Sequence, residues 1–161
     1  MSKAHIYNRD HINTDEIIPA RYLNTDDEME LAKHCLEDLD GDFVNKVQPS
    51  DVIVAGEDFG CGSSREHAVW AIRGVKVQTV IAKSFARIFY RNAINNGFFL
   101  IESPDALEKI NDGDELEIDY KNGSIKNKTA GIDISFNPLP DFALEIINAG
   151  GLLEHIKKGQ K

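Results

Sequence analysis

A glycine-rich turn between an apolar run and an amphipathic segment constrains this chain more than any other stretch. Val52-Ile53-Val54-Ala55 is followed by Gly56-Glu57-Asp58-Phe59-Gly60-Cys61-Gly62-Ser63-Ser64-Arg65-Glu66-His67-Ala68, and then by Val69-Trp70-Ala71-Ile72-Arg73-Gly74. A second apolar, β-branched run covers Val75 to Ala82. Short continuous apolar runs mark strands buried on both faces. Residues 65–73 between them predict a helix closed by Gly74 as its C-cap. Strand, helix and strand over this length form a βαβ unit. Its turn falls at the carboxyl end of the first strand, where open α/β sheets bind ligands.

The turn supports two readings. Ser63-Ser64-Arg65-Glu66 fits a capping box, with Ser63 as N-cap and Glu66 reaching back to it. Capping alone leaves three glycines, a second serine and an arginine unexplained. Gly56, Gly60 and Gly62 let a ligand approach the backbone, and the unpaired N–H groups of a helix start favour an anion. The glycine spacing matches neither a phosphate-binding P-loop nor the dinucleotide fingerprint.

The bulk numbers narrow the partners. With 161 residues, 42% of them hydrophobic, the chain is long enough for one domain with its own core, spanning 1–161. Formal charge is −9, and residues 26–42 alone place eight acids against Lys33. That balance argues against nucleic acid and anionic membrane as partners. No apolar run approaches a membrane span, and Met1-Ser2-Lys3-Ala4-His5 does not read as a signal peptide, so a cytoplasmic location is expected. Cys35 and Cys61 form no framework, which fits free thiols in a reducing compartment.

The rest of the chain reads as an α/β fold. Ala4 to Arg9 is a first strand, and residues 11–25 form an irregular loop with a buried piece at Ile17-Ile18. A helix starts at Asp27, with Leu31, Cys35 and Leu39 on one face, making Cys35 a core residue. Asp38 to Asp42 lacks the glycine and glutamate positions of a calcium loop and is expected to be a solvated helix end. Ser84 caps a second helix through Asn95, whose Lys83, Arg87 and Arg91 share a face. That face either solvates the helix or meets an acidic surface. Phe98 to Ile101 is a strand, and Pro104 to Ile110 a short helix. Asn122-Gly123 sets a two-residue hairpin turn after Leu116-Glu117-Ile118-Asp119-Tyr120. A strand at Ile132 to Phe136 precedes helices at Phe142 to Ala149 and Leu152 to about Lys157.

Gly60-Cys61-Gly62-Ser63-Ser64-Arg65-Glu66-His67-Ala68, followed by Ala82-Lys83-Ser84-Phe85-Ala86-Arg87-Ile88, closely resembles the swivelling domain of the aconitase superfamily. Asn13-Thr14-Asp15 and Ala20-Arg21-Tyr22-Leu23-Asn24-Thr25 narrow the likeness to the family of separate small subunits of 3-isopropylmalate dehydratase. The resemblance implies a swivelling β/β/α three-layer domain with a mixed sheet and flanking helices. It also implies a large partner subunit carrying a 4Fe-4S cluster, in a heterodimer or heterotetramer, and a malate-type substrate undergoing reversible dehydration. Such clusters need several cysteine thiolates, and this chain has two, one of them in the core, so no metal is assigned to it.

By residue-to-residue matching, the resemblance makes Ser63 the catalytic base, as an alkoxide, and makes Ser64 and Arg65 carboxylate binders. It places Asp15 at the partner interface, orienting a histidine there, whereas a turn-capping role for Asp15 is the plain reading of the residue. Arg21 would bind substrate, and Tyr22, Leu23, Asn24 and Thr25 match a loop that sets substrate choice. Uncharged Asn24 argues against pairing a third carboxylate. Asparagine is not the apolar residue expected of an isopropyl pocket, so citramalate and dimethylmalate stay open; a homoaconitate dehydratase and a non-catalytic anion-binding module are the further alternatives.

Overall fold

The computed structural model describes residues 2–63, 65–138 and 140–148. Seven strands form one sheet: β1 (Ser2–Tyr7), β2 (Val52–Ala55), β3 (Thr79–Ala82), β4 (Phe99–Glu102), β5 (Glu115–Asp119), β6 (Ser124–Asn127) and β7 (Ile132–Ser135). The helices are α1 (Thr14–Ile17), α2 (Glu28–Ala32), α3 (Phe43–Lys46), α4 (Glu66–Gly74), α5 (Arg87–Asn95), α6 (Ala106–Lys109) and α7 (Asp141–Asn148). A 3₁₀ turn covers Ala20–Tyr22.

The strand order is β4-β3-β2-β1-β5-β6-β7. β1 to β4 run parallel, with Val54 beside Ile6 and Ile81, whereas β5 to β7 are antiparallel. The change of sense falls at β1, which pairs parallel with β2 and antiparallel with β5. Side-chain alternation divides the interior in two. Ile53, Ala55, Val80, Ala82 and Leu100 face the helices and join Ile12, Leu31, Val69, Ile72 and Phe89. Val52, Val54, Ile81 and Ile101 face the other way, onto Leu116, Ile125 and Ile134 of the antiparallel strands. A sheet whose two halves share one core is curled over on itself. Helices, parallel strands and antiparallel strands are therefore the three layers that the resemblance implies.

Several local expectations are corrected. The segment read as an irregular loop holds α1 and the 3₁₀ turn, and it carries the capping box. Asn13 Oδ1 accepts from Glu16 N at 3.0 Å, and Glu16 Oε1 accepts from Asn13 N at 3.3 Å. The helix expected through Leu39 stops at Ala32. The Leu36 N–H donates to Ile17 O at 2.8 Å instead of continuing the helical ladder, and Leu36 takes φ 59°. Beyond that stretch the unforeseen α3 follows at Phe43–Lys46.

Gly74 closes no helix from outside. It is the last residue of α4, and a Cβ there would lie 2.8 Å from both Ala32 Cβ and Glu28 O. Its role is to let α2 and α4 touch. Ser84 does not cap α5, which starts at Arg87 with Ala86 as N-cap; its Oγ accepts from Asp58 N at 2.9 Å. The hairpin between β5 and β6 forms, but Asp119 pairs with Ser124, so four residues connect the strands. Tyr120 leaves the ladder to stack on Phe99 at 4.0 Å and to donate to Gln78 Oε1 at 2.6 Å. The helix expected from Leu152 lies outside the described residues.

Candidate active site

Three loops meet at the carboxyl ends of the parallel strands. The loop after β1 lies beside the loop after β2, through Thr14 N to Cys61 O at 2.9 Å and Gly60 N to Ile12 O at 2.8 Å. The loop after β2 lies beside the one after β3, through Phe59 N to Ser84 O at 3.1 Å and Ala86 N to Phe59 O at 3.0 Å. Each pair also makes an isolated parallel bridge, Asn13 with Cys61 and Phe59 with Phe85. The glycine-rich turn is therefore the middle member of a short extension of the sheet. Gly60 shows why the turn needs glycine: φ is +86°, and a Cβ would sit 2.2 Å from Cγ of Phe89.

A cleft of about 280 Å³ opens at this junction. Thr14, Ser63, Arg65, Arg87 and Asn92 supply its polar lining, and Gly60, Gly62, Ala86, Ile88 and Phe89 the rest. Ser63 is exposed at its mouth. The expected capping box at Ser63 is absent. α4 starts at Glu66, its N-cap is Arg65 in an extended conformation (φ −113°, ψ 121°), and among the described residues no side chain caps it. Ser63 instead accepts from Arg65 N through its main-chain oxygen at 3.0 Å. Among the described residues its hydroxyl caps no helix. Arg65, the residue before α4, lines the cleft, so the helix start with its partial positive charge lies next to it.

Arg65 lines the cleft with its guanidinium held by the carboxylate of Asp15, whose side chain is 63% exposed. Two of the expected site residues are thus in contact, and Asp15 caps no turn; Asn13 does that. Arg87 enters the same cleft from α5, and among the described residues it has no ion-pair partner. In the sequence Arg87 belonged to a face shared with Lys83 and Arg91. Thr14 and Arg87 stood in the motifs that carry the resemblance but were given no site role, and Asn92 carried no local signal, because the crossing of three loops, and not spacing along one, brings them there.

Arg21, Tyr22, Leu23, Asn24 and Thr25 do not line the cleft. The Arg21 guanidinium donates to Asp38 at 2.7 and 3.1 Å and to Glu37 at 2.9 Å, and lies over the Tyr22 ring at 4.8 Å. Its hydrogen bonds to Asp38, above all, raise its pKa further. Tyr22 donates to Glu37 at 2.5 Å and stacks on His34. That hydrogen bond, with those from His34 and Arg21, holds the Glu37 carboxyl below the usual range. Thr25 Oγ1 accepts from Asp27 N at 3.1 Å, and Asn24 is exposed. Ser64 lies outside the described residues.

The two thiols differ. Cys35 is fully buried among Leu31, Leu36 and Phe43, and burial pushes its pKa well above the ordinary thiol value. Cys61 is half-buried in the turn, where burial and then the Asp58 charge raise its pKa. Among the described residues no helix is long and apolar enough to cross a membrane.

The Aconitase C-terminal domain family matches residues 6–106. A 3-isopropylmalate dehydratase small subunit from Caldicellulosiruptor bescii is 61% identical over 155 residues, covering 96% of this chain and 93% of the relative. The chain belongs to the family of 3-isopropylmalate dehydratase small subunits. Small subunit 2 of Deinococcus radiodurans is 59% identical over 160 residues, covering 99% of this chain and 77% of its own length. The crystal structure of 3-isopropylmalate dehydratase from Methanocaldococcus jannaschii superposes with a TM-score of 0.93 at 47% identity, over 99% of this chain and 93% of that one. The family is one of hydro-lyases, and its fold is the mixed, curled seven-stranded sheet with flanking helices found here.

Proposed function

We propose that this chain is the small subunit of a 3-isopropylmalate dehydratase and that its cleft forms half of the active site. The reaction removes and returns water, moving a hydroxyl between adjacent carbons of isopropylmalate in leucine biosynthesis. The carrying observation is the juxtaposition in one cleft of Ser63 and Arg65, the residue that precedes α4.

A proton must leave a carbon of the substrate, and Ser63 Oγ is the group that takes it and later gives it back. A serine hydroxyl is far too weak an acid to ionise alone, so its anion needs stabilisation. The N–H groups at the α4 start and the Arg65 guanidinium are placed to provide it. Arg65, with Ser64 by family matching, binds a substrate carboxylate as a two-pronged donor. Asp15 holds that guanidinium until a carboxylate or the partner takes over.

Two cysteines placed as these are, one in the helix-side core and one in the turn, do not make a cluster site. The 4Fe-4S cluster is assigned to the large subunit, where it supplies Lewis-acid activation of the substrate hydroxyl. Specificity is assigned to the Tyr22–Thr25 loop together with Arg21. This assignment requires Arg21 to exchange its contacts with Glu37 and Asp38 on assembly.

The test is reconstitution with a large subunit from the same source, followed by a panel of isopropylmalate, citramalate, dimethylmalate and homoaconitate. Preferred turnover of isopropylmalate is the expected result; preference for another member reassigns the substrate. Asn24→Arg is expected to shift relative kcat/KM toward the tricarboxylate, and no shift would remove the loop from the specificity account.

A further inference from the structure

We propose that His11, Asp58 and Cys61 form a binding site for a divalent transition-metal ion of the Zn²⁺ type. The imidazole, carboxylate and thiol each offer one ligand atom, and the three atoms lie within 4.8 Å of one another. His11 Nδ1 and Asp58 Oδ2 are 3.0 Å apart. An ion with bonds of about 2.0–2.3 Å to N, O and S holds its donors roughly 3–4 Å apart. The His11–Asp58 spacing already falls in that range, and Cys61 Sγ, within 4.8 Å of both, needs at most a small inward movement. Sulfur, imidazole and carboxylate together suit Zn²⁺ better than Mg²⁺ or Ca²⁺, which take oxygen ligands.

The backbone pre-arranges the donors. His11 and Asp58 are both non-glycine residues in the left-handed region, at φ 57° and 56°. Such conformations persist only where surrounding structure fixes them, and they concentrate at functional positions. Here His11 N donates to Glu57 O at 2.7 Å, Glu57 N to Asp10 Oδ1 at 2.8 Å, and Asp58 N to Ser84 Oγ at 2.9 Å. His11 is exposed, so the site is open to solvent and keeps a coordination position free for water.

None of the three residues lines the cleft. Cys61 stands between Gly60 and Gly62, which do, and Ser63 follows two residues later. A bound ion would join the loop bearing Asp15 to the loop bearing Ser63 and Arg65. It would stabilise the turn from outside the reaction, independently of the partner's cluster.

The experiment uses the reduced, full-length chain without a large subunit. Zn²⁺ affinity is measured by competition with a chromogenic chelator, and Co²⁺ is used as a spectroscopic probe. One ion per chain is expected, together with a thiolate-to-Co²⁺ charge-transfer band and a metal-dependent rise in melting temperature. Cys61→Ser removes the band, and His11→Asn and Asp58→Asn each weaken Zn²⁺ by about tenfold or more. Asparagine tolerates the left-handed conformation at both positions, so these variants keep the turn, and circular dichroism without metal checks it. Absence of Zn²⁺ binding, or binding that survives His11→Asn and Cys61→Ser undiminished, overturns the site.

Discussion

Arg65 is the residue on which the cleft's chemistry turns. Its guanidinium is already paired with Asp15, so a substrate carboxylate competes with a carboxylate of the same chain. Binding gains are then differences between two similar contacts, and the planar fork of arginine matters more than its charge alone. Arg65→Lys in a reconstituted enzyme is expected to raise KM for isopropylmalate about tenfold or more, since lysine keeps the charge but loses bidentate binding. Steady-state kinetics check this, and an unchanged KM would separate Arg65 from the substrate. Ser63 was legible from its neighbours' resemblance, whereas its freedom from capping was not. The capping signature at Ser63-Ser64-Arg65-Glu66 is genuine in composition, but the turn places Arg65 in an extended conformation and leaves the box unformed. The same signature at Asn13-Thr14-Asp15-Glu16 does form. Local patterns alone do not choose between two such stretches; hydrogen bonds from Thr14 and Gly60 between the loops do.

At the scale of elements, the packing of α2 on α4 decides how firmly the site's helix is held. Gly74 permits that contact, with Ala32 and Glu28 where a side chain would go. Gly74→Ala is expected to cost about 1–3 kcal/mol, because the obstruction includes backbone that cannot move aside. Chemical denaturation measures the cost. The double variant with Ala32→Gly is expected to recover only part of it, since Glu28 O remains. Apolar periodicity placed nearly all strands correctly, because both faces of the parallel strands are buried. It failed for residues 33–39, where Ile17 O captures the Leu36 N–H and diverts the chain. That capture depends on a contact nearly twenty residues away, which no local window reports.

Across the whole molecule, β1 is the hinge between the parallel and antiparallel halves, and Asp51 anchors it. Asp51 is 2% exposed and accepts from His5 Nε2 at 2.8 Å, Lys3 N at 3.1 Å and Gln48 N at 2.9 Å. Burial opposes its ionisation, yet the His5 hydrogen bond and the two backbone donors outweigh it and hold its pKa below the ordinary value. Its folded pKa is thus lower than its unfolded one of about 3.9. The corresponding stability is complete above the unfolded value and is lost as pH falls through the folded one. Asp51→Asn is therefore expected to flatten the acid limb of a stability-against-pH curve below about pH 4, as followed by urea midpoints. A curve parallel to that of the unmodified chain would mean that other carboxylates carry the acid sensitivity. The parallel βαβ strands and the hairpin were legible in the apolar runs and turn signals, since burial on two faces and on one leave different patterns, whereas the three-layer plan came from the family resemblance. The site was legible around the turn and at Asp15; its other wall, with Arg87 and Asn92, comes from a helix read for its basic, amphipathic face and given no site residue.

The claim that this cleft is half of a dehydratase active site rests most directly on Ser63. Its test is the turnover of isopropylmalate by the chain reconstituted with its large subunit, with and without Ser63→Ala. The unmodified complex is expected to turn over while the isolated chain does not. Ser63→Ala is expected to lower kcat by about a thousandfold or more while leaving association with the large subunit intact. A Ser63→Ala complex that retains full kcat would contradict the account.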